Sequence, residues 1–525
     1  MKLLHNAHIH TLDASTPTAS ALVIDGERIL AAGGSELLEQ FPLAEKTDLG
    51  GRVVLPGLTD AHIHMQYYSL GLQKIDCETS TREECLLRVA DRARTAPPGK
   101  WILGHGWQQN DWGGEFPTAA QLDASVPDHP VYLTAKSLHA GWANSAALRR
   151  AGISSATADP VNGRIVRDGH GNPNGILLES AMELVQAALP GVTLDQVTDA
   201  IQAAQPILWK MGLTGVHDFD QRLCFMAMQV LHQRGELELR VTKSIPVELL
   251  QQAHDLGLRS GFGDDMLQVG SVKAFMDGAL GPRTAAMFQP YANEPDNRGI
   301  LNMDSEQLYE IGRQAVETGL SLAVHAIGDR ANHEVLDAFE QLRAYEREKN
   351  LPRFRHRIEH VQILHPDDAR RLGKLGIIAS MQPIHATSDM PAADKFWGER
   401  SALAYAWRTQ LSNGAVLAFG SDAPVESPNP FLGLHAAVTR RRADGRPSPQ
   451  GWYPEQRLSL LEAWQGFTAG AAHAGGMENR LGKLSTGFYA DLIVLEKDPF
   501  TCEPDELLKM QSSATMVNGA WVWQS

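Results

Sequence analysis

Short apolar runs recur through the middle of the chain, and many of them end in a polar or ionisable residue. Helix-like stretches separate several of these runs. Strands that alternate with helices predict βα units around a buried parallel sheet. Eight runs fit a TIM-type (β/α)8 barrel, in which polar residues at the carboxyl ends of the strands form the site of chemistry. The eight runs are 53–64, 214–220, 237–245, 269–278, 321–329, 355–360, 377–383 and 416–422.

Both ends of the chain have a different pattern, made of short β-like runs joined by turn residues. Near the N-terminus, the runs 21–24 and 28–32 flank Asp25-Gly26, which predicts a hairpin. Residues 490–495 and 514–517 have the same character. Each end is therefore predicted to form part of a small β-sheet structure, and the pattern alone leaves open whether the two ends pair.

The interval from His64 to Thr214 is far too long for a single βα connection. It contains further strand-like runs at 101–104 and 131–135, together with many Trp, Gly and Pro residues. We interpret residues 70–200 as an inserted, lid-like subdomain over the barrel mouth.

Composition excludes several other classes of protein. The 525 residues include 47 Lys+Arg and 62 Asp+Glu, a net charge of −15 that disfavours nucleic acid and anionic lipid as partners. No apolar stretch approaches the roughly 18 to 20 residues of a membrane span. Four cysteines in no paired pattern indicate a reducing compartment. We expect a cytoplasmic protein without a membrane partner.

The tetrapeptide Ala-His-Ile-His occurs twice, at residues 7–10 and 61–64. On a strand, residues i and i+2 share a face, so two such imidazoles can converge on one ion. His62 and His64 end a buried-looking run, and we interpret them as metal ligands. His8 and His10 lie at the extreme N-terminus with nothing upstream, and we interpret that pair as incidental.

Three further residues of ligand type end apolar runs: His325, His360 and Asp422. Each alone has an ordinary interpretation, as a core histidine or a helix-capping aspartate. Together with the histidine pair they place five ligand-type residues at the ends of four strands of one barrel. Imidazole and carboxylate ligands suit Zn²⁺ first, with Mn²⁺, Fe²⁺ or Co²⁺ as alternatives.

Lys273 lies in the middle of an apolar run, and a buried lysine must lose its charge or find a partner. One interpretation is an ion pair with Asp277 or Asp218. The other is that the neutral amine takes up CO₂ as a carbamate, which gives an anionic bridge between two cations.

These segments together resemble the amidohydrolase superfamily, specifically its family-3 branch, which includes N-substituted formamide deformylase. The resemblance covers nearly the whole chain. Its motifs are LPGLTDAHIH (55–64), VKAFMDG (272–278), RTA (283–285), HAIGDR (325–330), RIEH (357–360), GSDAPV (420–425) and GFYADL (487–492).

The resemblance implies an α/β protein with a distorted (β/α)8 barrel over residues 57–474. It also implies a composite β-sandwich of residues 1–56 plus 475–525, and an inserted α+β subdomain after the first barrel strand. The implied centre holds two ions per chain, and we expect a homodimer or another homo-oligomer, as in relatives. One ion lies on His62, His64 and Asp422, the second lies on His325 and His360, and a carboxylated Lys273 bridges them.

Four further residues are candidates for contact with a substrate. His139 resembles a residue of the branch and would polarise the substrate carbonyl, although Ser137-Leu138 precedes it where the branch usually has Asp-Gly. Arg283 offers a planar two-point contact to a carboxylate or carbonyl, or else forms a structural ion pair. Trp107 and Trp142 either wall the pocket or form the core of the insertion.

The expected activity is metal-assisted hydrolysis of a non-peptide C–N bond in a small molecule. The candidate substrates are a formamide, an N-acyl amine, an N-acyl amino acid or a cyclic amide, and Asp422 is expected to shuttle the proton. An ester, a lactone or a carbamate would suit the same centre. A third possibility, from another class, is a scaffold or regulatory protein that has lost catalysis.

Overall fold

The computed structural model describes residues 1–135, 140–161 and 163–525. These residues form two compact units, one of residues 1–68 with 197–525 and one of residues 69–196. The first unit contains a barrel, one sheet of N-terminal strands, and one sheet that combines strands from both ends of the chain.

Eight parallel strands follow one another around the barrel in chain order, which confirms the predicted (β/α)8 fold. The last and first strands meet at the rim, where the Asp422 N–H donates to the His62 carbonyl (2.7 Å) and the His64 N–H donates to the Ala423 carbonyl (2.9 Å). The strands are Leu58–Ile63, Leu213–Asp218, Arg240–Pro246, Leu267–Phe275, Leu322–Ala326, Arg357–His360, Ile378–Met381 and Leu417–Phe419.

Nearly every residue of these strands is buried, as expected for a parallel sheet covered on both faces. Helices connect and surround the strands. The α-helices of this unit are Leu37–Gln40, Arg222–Gln233, Leu250–Asp255, Ser305–Thr318, Asp329–Glu348, Arg371–Leu375, Pro383–Trp397, Trp407–Ser412, Pro430–Thr439, Leu460–Gln465 and Ala471–Ala474, while Met65–Gly71 and Leu194–Lys210 cross into the second unit. Among the described residues, no helix combines the length and apolar character needed to cross a membrane.

The run 53–64, which the sequence pattern presents as one strand, is divided by Gly57. Val53–Pro56 belongs to a terminal sheet, and Leu58–Ile63 begins the barrel. A Cβ at Gly57 would lie 2.3 Å from the side chain of Thr214, so a larger residue does not fit there. The run is therefore two strands, and the chain passes from one sheet to the other at this glycine, the residue at which the resemblance implies that the barrel begins.

Two mixed sheets contain the terminal strands and pack around a shared core, which confirms the predicted β-sandwich. In one sheet the order is Arg28–Gly33, Ala21–Asp25, Lys2–His5, Glu45–Asp48. In the other it is Ala520–Gln524, Ala514–Val517, Leu492–Leu495, Val53–Pro56, His8–His10, Thr18–Ala19. Leu22 and Ile24 of the first sheet share the core with Val54, Val494 and Met516 of the second.

The second unit is built on a six-stranded mixed sheet. The strand order is Gly163–Arg167, Pro173–Glu179, Ala140–Ala143, Val131–Ala135, Ile102–Trp107, Ile75–Asp76. Its helices are Arg82–Thr95, Ala119–Ser125, Ser145–Arg150 and Met182–Gln186. This is the α+β insertion expected after the first barrel strand.

Candidate metal centre

The predicted ligands come together at the carboxyl ends of the barrel strands. His62 is on the first strand and His64 follows it, His325 is on the fifth strand, His360 ends the sixth, and Asp422 lies three residues beyond the eighth. The ring centroids of His62 and His360 are 4.9 Å apart, and those of His325 and His360 are 4.6 Å apart.

Asp422 connects the two histidines of the first strand. Its Oδ1 atom lies 3.4 Å from His62 Nε2 and 3.3 Å from His64 Nε2. One ligand atom each from His62, His360 and Asp422 falls within 4.8 Å of the others. Asp422 has a positive φ of 61°, and its N–H is held by the His62 carbonyl. The backbone therefore fixes this carboxylate over the histidine pair.

Carboxylates orient both rings of the pair. His62 Nδ1 lies 2.6 Å from Glu359 Oε2, and His64 Nδ1 lies 2.9 Å from Asp220 Oδ1. A carboxylate on one ring nitrogen fixes the tautomer and leaves the other nitrogen to an ion. In both residues the nitrogen left over is the Nε2 atom that faces Asp422.

The other two histidines donate their hydrogen bonds to an amide oxygen and a backbone carbonyl, and His325 Nε2 also lies 3.5 Å from Asp277 Oδ1. His360 Nδ1 lies 2.8 Å from Gln382 Oε1, which leaves Nε2 as its ligand atom. His325 Nε2 lies 3.0 Å from the Gly278 carbonyl. Because a carbonyl only accepts, this nitrogen carries the proton, and Nδ1 of His325 keeps the lone pair that an ion needs.

Glu359 is itself held by a buried polar network. It accepts hydrogen bonds from Arg357 Nη2 (3.0 Å) and from Ser380 Oγ (2.6 Å). Burial opposes the charge, but Arg357 and His62 hold the pKa of Glu359 well below its usual range. The residue therefore faces His62 as a carboxylate.

The donor set has the chemistry that a metal site requires. Burial, with Lys273 nearby, lowers the pKa of His62 and of His325 to about 4, and burial holds that of His360 well below its usual range. Neutral imidazoles are the form that binds cations. Burial also opposes charge on His64, but hydrogen bonds with Asp220 and Asp422 raise its pKa to about 9. Metal binding would therefore release a proton from His64.

Lys273 is buried on the fourth strand without a carboxylate partner within 4.0 Å among the described residues. Its Nζ lies over the rings of Phe219 (4.4 Å) and Phe275 (5.0 Å). Burial lowers its pKa to about 8, against the opposing charges of Glu359 and Asp422. The two ion pairs considered from the sequence are not formed.

Both carboxylates proposed for those ion pairs have other partners. Asp218 pairs with Lys243 at 2.9 Å. Asp277 accepts the backbone N–H groups of Ala286, Ile327 and Gly328. Lys273 is therefore free to react or to face an ion.

The sequence reasoning missed His385, which lies next to Asp422. Its Nδ1 accepts from Gln362 Nε2 at 3.4 Å, so Nε2 carries the proton. That Nε2 is buried, lacks a hydrogen-bond partner among the described residues, and lies 3.7 Å from Asp422 Oδ2. The ring is parallel to that of His360. The available signal was its position two residues after the run 377–383, at the same end of the barrel as the ligands.

Glu359 and Asp220, the carboxylates that orient the pair, were also missed. Glu359 adjoins His360 within the run 355–360, and Asp220 ends the run 214–220. Both positions were visible as strand ends. Their pairing with particular histidines depends on which strands are neighbours, and the sequence pattern does not contain that information.

The predicted substrate residues lie in different surroundings. Arg283 has a positive φ of 58° and pairs with Glu294 at 3.0 Å, which agrees with the structural alternative. Trp107 and Trp142 are fully buried in the core of the second unit, where their indole N–H groups donate to the carbonyls of Leu133 and Thr118. His139 lies outside the described residues. The substrate roles of these residues stay predictions.

A barrel with histidines and a carboxylate converging at the carboxyl ends of its strands defines a candidate metal-dependent enzyme. Residues 45–523 match the model of the amidohydrolase family, and the chain belongs to that family. It is accordingly a metal-dependent hydrolase.

Proteins similar to this chain are found in plants, bacteria and archaea. Protein LONG AFTER FAR-RED 3 of Arabidopsis thaliana is 34% identical over 98% of this chain and 90% of its own length. N-substituted formamide deformylase of Arthrobacter pascens is 30% identical over 98% of this chain and 97% of its own. The crystal structure of an uncharacterized metal-dependent hydrolase from Pyrococcus furiosus superposes with a TM-score of 0.79, with 30% identity, over 95% of this chain and all of that one.

Proposed function

We propose that the protein hydrolyses a non-peptide C–N bond in a small molecule: a formamide, an N-acyl amine, an N-acyl amino acid or a cyclic amide. The observation that carries the proposal is the position of Asp422, whose Oδ1 lies within 3.4 Å of two histidine nitrogens while Oδ2 faces the N–H of His385. The similarity to N-substituted formamide deformylase supports the choice of bond.

His62, His64 and Asp422 would hold one ion, His325 and His360 the second, and Zn²⁺ suits these nitrogen and oxygen donors first. When bound, the ions would lower the pKa of water toward neutrality and polarise a carbonyl. The neutral rings of His62, His325 and His360 fit this assignment, because protonated imidazoles have no lone pair to offer.

Asp422 is proposed to accept the proton of the attacking water and to deliver it to the leaving nitrogen. An amide needs this help because an amide anion is a very poor leaving group. Burial is offset by the surrounding histidines, which hold the pKa of Asp422 well below its usual range, so the residue begins as a base. His139 is proposed to polarise the substrate carbonyl. We propose that His385, whose unpartnered N–H among the described residues lies 3.7 Å from Asp422 Oδ2, also donates to the substrate carbonyl.

Lys273 is proposed to carry a carbamate, whose two oxygens would supply ligands to both ions. Its amine attacks the carbon of CO₂ and loses one proton, which gives an N-carboxylate of charge −1. The buried amine has no carboxylate within 4.0 Å in the part of the chain that the structure describes, which supports this, because an ion pair would keep the lysine charged.

The first test is the metal content of the purified full-length protein after loading with Zn²⁺ and ¹³C-bicarbonate. We expect about two ions per chain and a ¹³C carbamate signal that is lost in Lys273→Gln. Lys74→Gln, at an exposed lysine of the second unit, is the control and should keep both. One ion and no ¹³C signal would remove the bridge from the proposal, and no ion in a folded protein would overturn the proposal and favour a scaffold.

A panel of substrates then separates the bond types. Formamides, N-acyl amines, N-acyl amino acids and lactams should be cleaved with higher kcat/KM than matched esters and lactones. The reverse order would assign the same centre to an esterase or lactonase.

A further inference from the structure

The sandwich contains a second group of metal-ligand type, formed by His8, His10 and Asp498. The sequence presented the histidines as an incidental pair because the third residue lies at the opposite end of the chain. In the fold, Asp498 Oδ2 lies 3.2 Å from His8 Nδ1 and 3.0 Å from His10 Nε2. These three ligand atoms lie within 4.8 Å of one another.

We propose that His8, His10 and Asp498 form a second, separate binding site for a borderline divalent transition-metal ion such as Zn²⁺, Ni²⁺ or Cu²⁺. Two imidazoles and one carboxylate favour these ions over Mg²⁺ and Ca²⁺, which prefer oxygen ligands. The site is independent of the proposed hydrolase function, because its residues lie on the sandwich and not on the barrel.

The geometry repeats that of the barrel centre. In both places two histidines separated by one residue face one carboxylate oxygen, at 3.4 and 3.3 Å in the barrel and at 3.2 and 3.0 Å in the sandwich. Tetrahedral ligands about 2.0–2.1 Å from zinc are separated by roughly 3.3–3.5 Å. The two distances to Asp498 Oδ2 are therefore within a few tenths of an ångström of the separation that two zinc ligands would have.

The ligands are held in place by their surroundings. Asp498 Oδ1 accepts the N–H of Phe500 at 2.9 Å, which leaves Oδ2 to the histidines. Phe500 in turn packs against the ring of His10, with 4.7 Å between centroids. On the strand, His8 and His10 lie with their ring centroids 4.4 Å apart. The side chain of Asp498 is only 11% exposed, whereas that of His8 is 50% exposed, so an ion can enter from solvent.

The ordinary alternative is that the two histidines only share hydrogen bonds and charge with Asp498. A calorimetric titration of Zn²⁺ into full-length protein whose barrel centre is already loaded distinguishes the two. We expect one additional site per chain that is lost in Asp498→Ala, which has no ligand oxygen, and weakened at least tenfold in His8→Asn. His5→Asn, at a nearby histidine outside the group, should bind as wild type.

Two further measurements show whether a variant binds less metal because it has lost a ligand or because it is misfolded. One equivalent of Cu²⁺ added to the loaded protein should show coupling to two imidazole nitrogens by electron paramagnetic resonance, and to one in His8→Asn. Because the ligands come from both ends of the chain, Zn²⁺ should also raise the Tm of wild type and of His5→Asn but not that of Asp498→Ala. Absence of the extra site in wild type, or equal binding in all four proteins, would overturn the proposal.

Discussion

The carboxylate of Asp60 accepts two hydrogen bonds from Ser421, one from its N–H at 3.0 Å and one from its hydroxyl at 2.5 Å. Asp60 is on the first barrel strand and Ser421 follows the eighth, so the pair joins the two strands that close the barrel. Asp60 also accepts the N–H of His62. Gly420 lies so close to the first strand that a Cβ there would be 2.4 Å from the backbone nitrogen of His62. The same contacts that close the barrel therefore also place His62 beside Asp422.

Ser421→Ala should reduce the free energy of unfolding by about 1–3 kcal/mol, because it removes a buried hydrogen bond to a carboxyl group. The hydroxyl also accepts the Ala423 N–H, so that donor loses its partner. Urea unfolding of the metal-free protein measures the loss. Ser485→Ala, which removes a similar bond to Asp13 at a less buried place, is the control and should cost less. Equal losses in the two variants would contradict this role for the pair.

Asp220→Asn should weaken metal binding by about 10- to 100-fold, because the carboxylate that orients His64 and favours its ligand tautomer is lost. Competition with a chelator measures the affinity. Asp368→Asn removes a comparable carboxylate from His333, at 2.9 Å and outside the candidate centre. That variant should bind metal as wild type does, and a similar loss in both would assign the effect to general destabilisation.

Asp422→Asn should lower kcat by about 10²- to 10⁴-fold while much of the metal is retained. Asparagine keeps an oxygen that can bind an ion but cannot accept the proton. Turnover and metal content are measured on the same preparation. Asp505→Asn, at an exposed aspartate paired with His435, is the control and should leave both unchanged. Unchanged turnover in Asp422→Asn would exclude the proton-shuttle role.

His385→Phe should lower kcat by about 10²-fold, in the range for loss of one hydrogen-bond donor to a developing negative charge, without changing the metal content. His360→Phe should instead lose metal, because that ring supplies a ligand. The comparison distinguishes the hydrogen-bond donor His385 from the metal ligand His360, although their rings are parallel. Loss of metal in His385→Phe would make His385 a ligand, and unchanged kcat would remove it from the reaction.

The sequence predicted the fold and the convergence of the ligands because buried parallel strands leave an apolar pattern that ends at the site. It placed His62, His64, His325, His360 and Asp422 at strand ends, where they lie. The apolar pattern alone presents the run 53–64 as one strand, whereas the family resemblance implies a boundary directly before Gly57, where a Cβ would meet the side chain of Thr214.

The apolar pattern of the sequence does not predict contacts between segments that are distant along the chain. His385 follows a helix start rather than ending a strand, so periodicity does not distinguish it from other helical residues. Asp498 lies next to His8 and His10 because Val53–Pro56 pairs on one side with His8–His10 and on the other side with Leu492–Leu495. Such pairings are properties of the folded chain, and no local signal encodes them.

The division at Gly57 has a consequence for the newly made chain. During synthesis, Val53–Pro56 leaves the ribosome long before its antiparallel partner Leu492–Leu495, whereas Leu58–Ile63 finds its neighbour Leu213–Asp218 much earlier. One side of Val53–Pro56 therefore has no strand partner, and its apolar residues are exposed, while the barrel strands are being synthesised. A nascent chain arrested before residue 490 would be a target for chaperones at its N-terminal end, even with the barrel strands already translated.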